Sequence, residues 1–205
     1  MLTAPNGLFI DIRILKETSN RHDPSSIDWA FCGISRKSGN SGSWEHWVDS
    51  RSDNPDPDSG TFETLENGDD LEKGVMKNAD GILTTYEEIW RDLPLDTRPE
   101  SCPILVYIGL DIKDAAGPPS ETLSMEGLHS EAVRGMMIRI DSWCQGLVKT
   151  GEETSVERWQ LLDESWRCTV RIGTTGLPCS NILQAAIWPD DILGGGDLIW
   201  KRLKS

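Results

Sequence analysis

At 205 residues the chain is long enough to bury one large core or two small ones, and its formal charge is −14. Residues 45–100 alone hold sixteen acidic against five basic side chains. That balance argues against nucleic acid and anionic membrane as partners, because either needs a basic face. Its bland meaning is solubility.

The first predicted element covers residues 8–15, LFIDIRIL, in which Leu8, Ile10, Ile12 and Ile14 form an apolar face opposite Phe9, Asp11 and Arg13. After the turn formers RHDPSS comes a second strand, residues 27–34, with Ile27, Trp29, Phe31 and Gly33 sharing a face. A glycine loop, KSGNSGS, leads into the aromatic-dense residues 44–49, WEHWVD, and then RSDNPDPDSG reads as loop by composition. Residues 61–66 and 71–77 flank Asn67-Gly68, a strong hairpin signal.

The next stretch, TTYEEIWRDLP, is ambiguous. Thr85 and Glu88 have capping-box spacing, whereas a strand would put Tyr86, Glu88 and Trp90 on one face, and the preceding hairpin favours the strand. Pro94, Pro99 and Pro103 mark the midpoint and suggest an N-terminal β-lobe over residues 1–95 and a C-terminal one over 96–205, together one compact unit. The second half begins with ILVYIGLDI and continues to RGMMIRIDSWCQG, residues 134–146, where Met136, Ile138 and Ile140 alternate with Met137, Arg139 and Asp141. Carried straight through, that alternation puts Arg139 on one face with Met137, Trp143 and Gln145. Further strands are expected over residues 156–162, 166–172, 182–188 and 198–203. Roughly ten short strands separated by turns predict an all-β protein, a barrel or two packed β-lobes.

Five cysteines without a Cys-x-x-Cys spacing offer neither a zinc knuckle nor a redox pair. The N-terminal segment lacks a basic flank, and the longest apolar run, residues 104–110, is far below the roughly 20 residues that span a bilayer. A cytoplasmic protein is expected. Three histidines without His-x-His spacing, no phosphate loop, no dinucleotide fingerprint and no nucleophile elbow predict no metal and no cofactor.

Four stretches together resemble a known family: residues 28–33 (DWAFCG), 47–50 (WVDS), 86–91 (YEEIWR) and 143–146 (WCQG). They occur in the order and approximate spacing of a fungal, Hri-type family whose founding yeast member was named for interaction with a casein kinase I. The resemblance implies a calycin-like, lipocalin-related pair of β-barrel lobes around a cavity. It also implies similarity to fungal hetero-Diels–Alderases of tropolone sesquiterpenoid biosynthesis. Compared with the yeast pattern this chain is shorter, with abbreviated loops after Gly39 and Asn78.

The nine tryptophans are the most unusual feature of the composition. Any one of them is more often core than ligand wall. Trp29, Phe31, Trp47, Tyr86, Trp90 and Trp143 are the candidate walls of an apolar pocket, with Arg139, Gln145 and His46 as candidate catalytic groups. Arg139 offers a two-pronged donor to a ligand oxygen, Gln145 a neutral donor and acceptor, and His46 a general base with an ordinary pKa near 6.5. Two functions follow. One is a cofactor-independent enzyme that binds a small apolar or polycyclic ligand and promotes cyclisation or cycloaddition; the other is a non-catalytic carrier or interaction module, in which a kinase contact would belong. Either is compatible with a homodimer.

Overall fold

The computed structural model describes residues 1–16, 23–78, 81–94, 104–112, 132–183, 190–194 and 198–203. Among these, strands and short 3-10 turns account for all the regular structure, and no α-helix occurs. The protein is all-β. No helix among the described residues is long and apolar enough to cross a membrane.

The first sheet is an antiparallel meander of seven strands in sequence order. Its strands are β1 (Leu2–Thr3), β2 (Leu8–Ile14), β3 (Ile27–Ser38), β4 (Ser41–Asp49), β5 (Asp58–Thr64), β6 (Asp70–Lys77) and β7 (Leu83–Trp90). The Asn67-Gly68 turn joins β5 to β6, with Gly68 at φ 84° and the Leu65 carbonyl accepting its N–H. Residues 85–90 are strand, not helix, and Tyr86, Glu88 and Trp90 do share the inward face. The glycine loop is tighter than composition suggested, since β3 and β4 run on until Ser38 pairs with Ser41.

The second sheet has the order β12-β11-β10-β9-β8-β14-β13. Its strands are β8 (Leu105–Asp111), β9 (Val133–Ile140), β10 (Trp143–Thr150), β11 (Glu153–Leu162), β12 (Ser165–Ile172), β13 (Asp191–Leu193) and β14 (Leu198–Leu203). The strand expected over residues 182–188 is not found where it can be seen: Ile182 closes a 3-10 turn, Pro178–Ile182, and residues 184–189 lie outside the described residues. Proline at the start of that turn fixes φ and withholds an N–H, which suits a turn better than a ladder.

Alternation explains the layering. Leu8, Ile10, Ile12, Ala30, Cys32 and Val48 from the first sheet meet Ile108, Met136, Ile138, Ile140, Leu147 and Val156 from the second in one shared core. The opposite face of the first sheet curls around Phe9, Trp29, Phe31 and Trp44. The opposite face of the second packs Tyr107, Met137 and Trp200 beneath Leu177, Cys179 and Ile182. The first sheet is thus a half-barrel backed by a second sheet.

Candidate functional site

A β-bulge builds the site. Across β3 and β4, Cys32 pairs with Val48 but Gly33 pairs with His46, which leaves Trp47 as the extra residue. On an unbroken strand residues 46 and 49 would point to opposite faces. Here both point inward, because the extra residue restores the parity. The bulge draws the β4 backbone against Gly33, where a Cβ would overlap the Glu45 carbonyl oxygen, so only glycine fits.

Three groups then converge on the carboxylate of Asp49, which is buried. Its carboxylate accepts from Trp29 Nε1 (3.0 Å), from the Arg51 backbone N–H (2.7 Å) and from His46 Nδ1 (2.9 Å). The His46 ring stacks on Phe31, with centroids 4.3 Å apart. Its other nitrogen, Nε2, is buried without a hydrogen-bond partner; Asp58 Oδ2 stands 3.3 Å away but outside hydrogen-bonding alignment. Burial works against the His46 charge, yet the Asp49 hydrogen bond and the nearby carboxylates of Asp49 and Asp58 outweigh it and raise the histidine pKa. Burial likewise pushes the Asp49 carboxyl up, and His46, Arg51 and Trp29 more than reverse this, holding it below the usual range.

Deeper in the half-barrel, Arg13 donates to Asp11 (2.9 Å) and, through both terminal nitrogens, to Glu88. This links β2 to β7. The guanidinium also lies over the rings of Trp29 (5.3 Å) and Phe31 (5.6 Å). Glu72 accepts from the Tyr86 hydroxyl and from Trp90 Nε1 (2.7 Å). Burial and the nearby Glu88 charge raise the Glu72 pKa despite these hydrogen bonds. The remaining space among Arg13, Trp29, Trp44, Tyr86 and Trp90 is about 20 Å³, room for about one water.

The usable opening lies at the mouth. The β4–β5 ladder spans only Ser41–Trp44 against Asp58–Thr61, so the two strands part beyond it. Between them and the β6–β7 turn is a cleft of about 310 Å³, at the small end of the range of roughly 300–1,000 Å³ for ligand pockets. Trp29, Pro55, Pro57, Val75, Met76 and Leu83 supply apolar wall, while His46, Arg51 and Asp58 supply polar groups. Lys149 of the second sheet holds the cleft's rim by donating to the carbonyls of Asp49 (2.8 Å) and Ser52 (3.2 Å).

Five of the nine residues expected in the site lie inside the half-barrel: Trp29 and His46 line the cleft, while Phe31, Tyr86 and Trp90 line the deeper interior with Trp29. The other four are elsewhere. Trp47, the bulged residue, packs against the inter-sheet core and donates to Glu45. Trp143 is half-buried at the turn end of β10, opposite Ile140.

Arg139 and Gln145 do not share a face, which corrects the alternation carried through from residue 134. The two-residue turn at Asp141 and Ser142 pairs Arg139 with Cys144 and Ile138 with Gln145, so parity flips across the hairpin. Arg139 therefore lies on the outer face of the second sheet, over the Trp166 ring (5.1 Å), and donates to the Ile182 carbonyl (2.7 Å). Gln145 faces the first sheet. With its amide oriented to satisfy both ends, it donates to the Ile10 carbonyl (3.2 Å) and accepts from Arg158 Nε (3.1 Å). A register shift also turns Ile27 away from Trp29: Arg13 pairs with Trp29 but Ile14 with Ile27.

Sequence reasoning missed Arg13, Asp49, Asp58 and Glu72. Asp49 lies within the Trp-Val-Asp-Ser stretch, residues 47–50, that carries part of the family resemblance. Asp58 was hidden in an acid-rich loop, and nothing local marked Arg13 or Glu72.

A curled antiparallel sheet with a polar-aromatic interior, a second sheet behind it and a ligand-sized cleft at its mouth define the class of protein. The family described as Protein HRI1 matches residues 1–203, and the chain belongs to that family. This agrees with the Hri-type resemblance carried by residues 28–33, 47–50, 86–91 and 143–146. No curated protein and no solved structure matches the chain.

Proposed function

We propose that the cleft between β4 and β5 binds a small, largely apolar molecule bearing a carbonyl or hydroxyl oxygen, and promotes its cyclisation or cycloaddition without a cofactor. The observation that carries this reading is the buried His46 Nε2 on the cleft wall, which makes no hydrogen bond and has only the Asp58 carboxylate 3.3 Å away. As an imidazolium braced by Asp49, His46 keeps one N–H that a ligand oxygen can take up in place of the misaligned Asp58. A ligand oxygen there would be polarised by a donor already oriented and largely shielded from water. His46 thus takes the role for which Arg139 and Gln145 were candidates. Trp29 and Met76 would position the ligand's apolar part. A likeness to calycin-type barrels and fungal hetero-Diels–Alderases belongs to the same proposal.

A second reading, a non-catalytic carrier or interaction module, is favoured by one observation: Arg13 fills the deeper interior, so a ligand would sit at the mouth rather than be enclosed. One experiment separates the two. A neutral bicyclic enone is titrated into the protein with tryptophan fluorescence as readout, and adduct formation with an electron-rich alkene is followed by mass spectrometry. The expected result is saturable quenching and an adduct rate above that in buffer, with His46→Gln reducing that rate by roughly a hundredfold to a thousandfold, the usual effect of losing one such donor. Saturable binding with no acceleration selects the carrier, and absence of saturable binding removes the cleft as the site.

A further inference from the structure

The two sheets have four edges, and three of them are blunted. β1 is two residues long and β13 three, while the β12 ladder with β11 carries a register shift at Arg158/Trp159. Short strands and irregular ladders are the usual means by which edges avoid recruiting further strands. The fourth edge, β7, has neither. It runs for eight residues, pairs with β6 without a break from Asp70↔Trp90 to Lys77↔Leu83, and contains no proline and no lysine. Among the described residues no strand pairs with its other side.

This edge is also apolar on its outer face. Leu83 (68% exposed) and Ile89 (66%) point to solvent on β7, beside Val75 (53%) on β6 and Ile82 (61%) in the turn. With Leu93 these make five of the ten large exposed hydrophobics among the described residues, so the patch is local and not the scatter found on any surface. Around it the charge is acidic. Glu63 and Glu87 are both exposed and share a single lysine, Lys73, at 3.8 Å each. The surrounding window, residues 45–100, carries most of the chain's net negative charge.

We propose that the β7 edge is a docking site for a basic, extended segment of another protein, which adds to the first sheet as an eighth strand. Backbone hydrogen bonds to β7 would supply affinity, and alternate side chains of the segment would meet Leu83 and Ile89 on the outer face. Lysine or arginine in the segment would answer Glu87, which lies on β7 itself and shares the outer face of Leu83 and Ile89. A second copy of this chain is the poorer occupant, because it would bring the same acidic surface against its own kind. The edge adjoins the β4–β5 cleft, whose wall Leu83 and Val75 also form, but none of residues 84–90 lines that cleft, so protection along the rest of β7 is independent of what the cleft binds.

The test uses the whole protein and three fluorescein-labelled, end-capped octapeptides: a lysine peptide, Val-Thr-Lys-Thr-Val-Thr-Lys-Thr, which sets valine and lysine together on one face; the same peptide with glutamate for lysine; and the lysine peptide with its two valines replaced by proline. Fluorescence anisotropy reads binding and hydrogen–deuterium exchange reads the backbone of residues 83–90. The lysine peptide is expected to bind saturably, at least about tenfold tighter than the glutamate peptide, and to protect residues 83–90. Proline removes ladder donors, so its peptide should lose that protection. The double substitution Glu87→Lys and Ile89→Lys should weaken the lysine peptide by at least about tenfold. Because the exchange footprint is measured on the unaltered protein, it decides the matter even where that variant folds poorly. Equal binding of the proline peptide, or binding without protection of residues 83–90, would show bulk charge attraction and overturn the proposal. Protection that rises with protein concentration in the absence of peptide would overturn it in favour of self-association.

Discussion

His46 illustrates how far a residue's role depends on what surrounds it. In the sequence it is a histidine between two tryptophan neighbourhoods; in the fold it is a ring stacked on Phe31 with a carboxylate at each end. Its folded pKa is raised above the ordinary 6.5, so a ¹H–¹³C NMR titration of the ring should give a midpoint above 6.5. The linkage to stability has a definite sign. Because the folded state favours the imidazolium, the stabilisation from His46 is complete below the unfolded pKa and fades as pH rises through the folded one. Asp49 behaves in the opposite sense: its pKa is depressed from 3.8, so its contribution is complete above that value and fades as pH falls through the folded one. Denaturant titrations across pH should therefore show a loss of stability on the alkaline side of His46 titration that is absent in His46→Gln. A midpoint at or below 6.5 would mean that burial, not the two carboxylates, governs the ring.

At the scale of elements, the bulge in β4 decides which side chains enter the site. Gly33 permits it, since the Glu45 carbonyl occupies the space where any Cβ would sit. Gly33→Ala should therefore cost more than the roughly 1–3 kcal/mol usual for overpacking, because the opposing group is backbone and cannot rotate away. If the strand instead slides to relieve the overlap, Asp49 parts from His46, and the raised histidine midpoint should return towards 6.5. Denaturant titration and the same NMR titration read the two outcomes. A variant with unchanged stability and an unchanged midpoint would show that Gly33 is not what holds the bulge. The β9–β10 hairpin teaches a related lesson, for its two-residue turn puts Arg139 and Gln145 on opposite sides of the second sheet.

For the molecule as a whole, the two sheets share one core, and neither can expose its half to water cheaply. Ile138 lies at the centre of that shared layer and is fully buried. Ile138→Ala should destabilise by about 2–5 kcal/mol, the range for such truncations in a packed core. Because the layer belongs to both sheets, unfolding should remain a single transition, with fluorescence and far-ultraviolet circular dichroism giving coincident curves. Two separated transitions would mean that the sheets are stabilised independently. Polar braces add to the joint: Arg158 donates to the Ile12 carbonyl (2.7 Å), and Gln145 to that of Ile10, on a strand whose edge partner β1 is only two residues long.

What the sequence determined by itself was local. Period-two alternation located most of the strands, Asn67-Gly68 announced its hairpin, and the parity of Tyr86, Glu88 and Trp90 was right because no bulge or turn intervenes within β7. The resemblance carried by four short stretches was enough to indicate the family. Tertiary structure alone decided the candidate site. A single inserted residue at Trp47 or a two-residue turn at Asp141 reverses every inside–outside assignment beyond it, and neither has a composition that marks it out. Arg13 meets Glu88 across 75 positions, and His46 meets Asp58 only because β4 and β5 diverge after Trp44. Such pairings are set by the curl of the sheet, a property of all seven strands packed together, which no window of the chain contains.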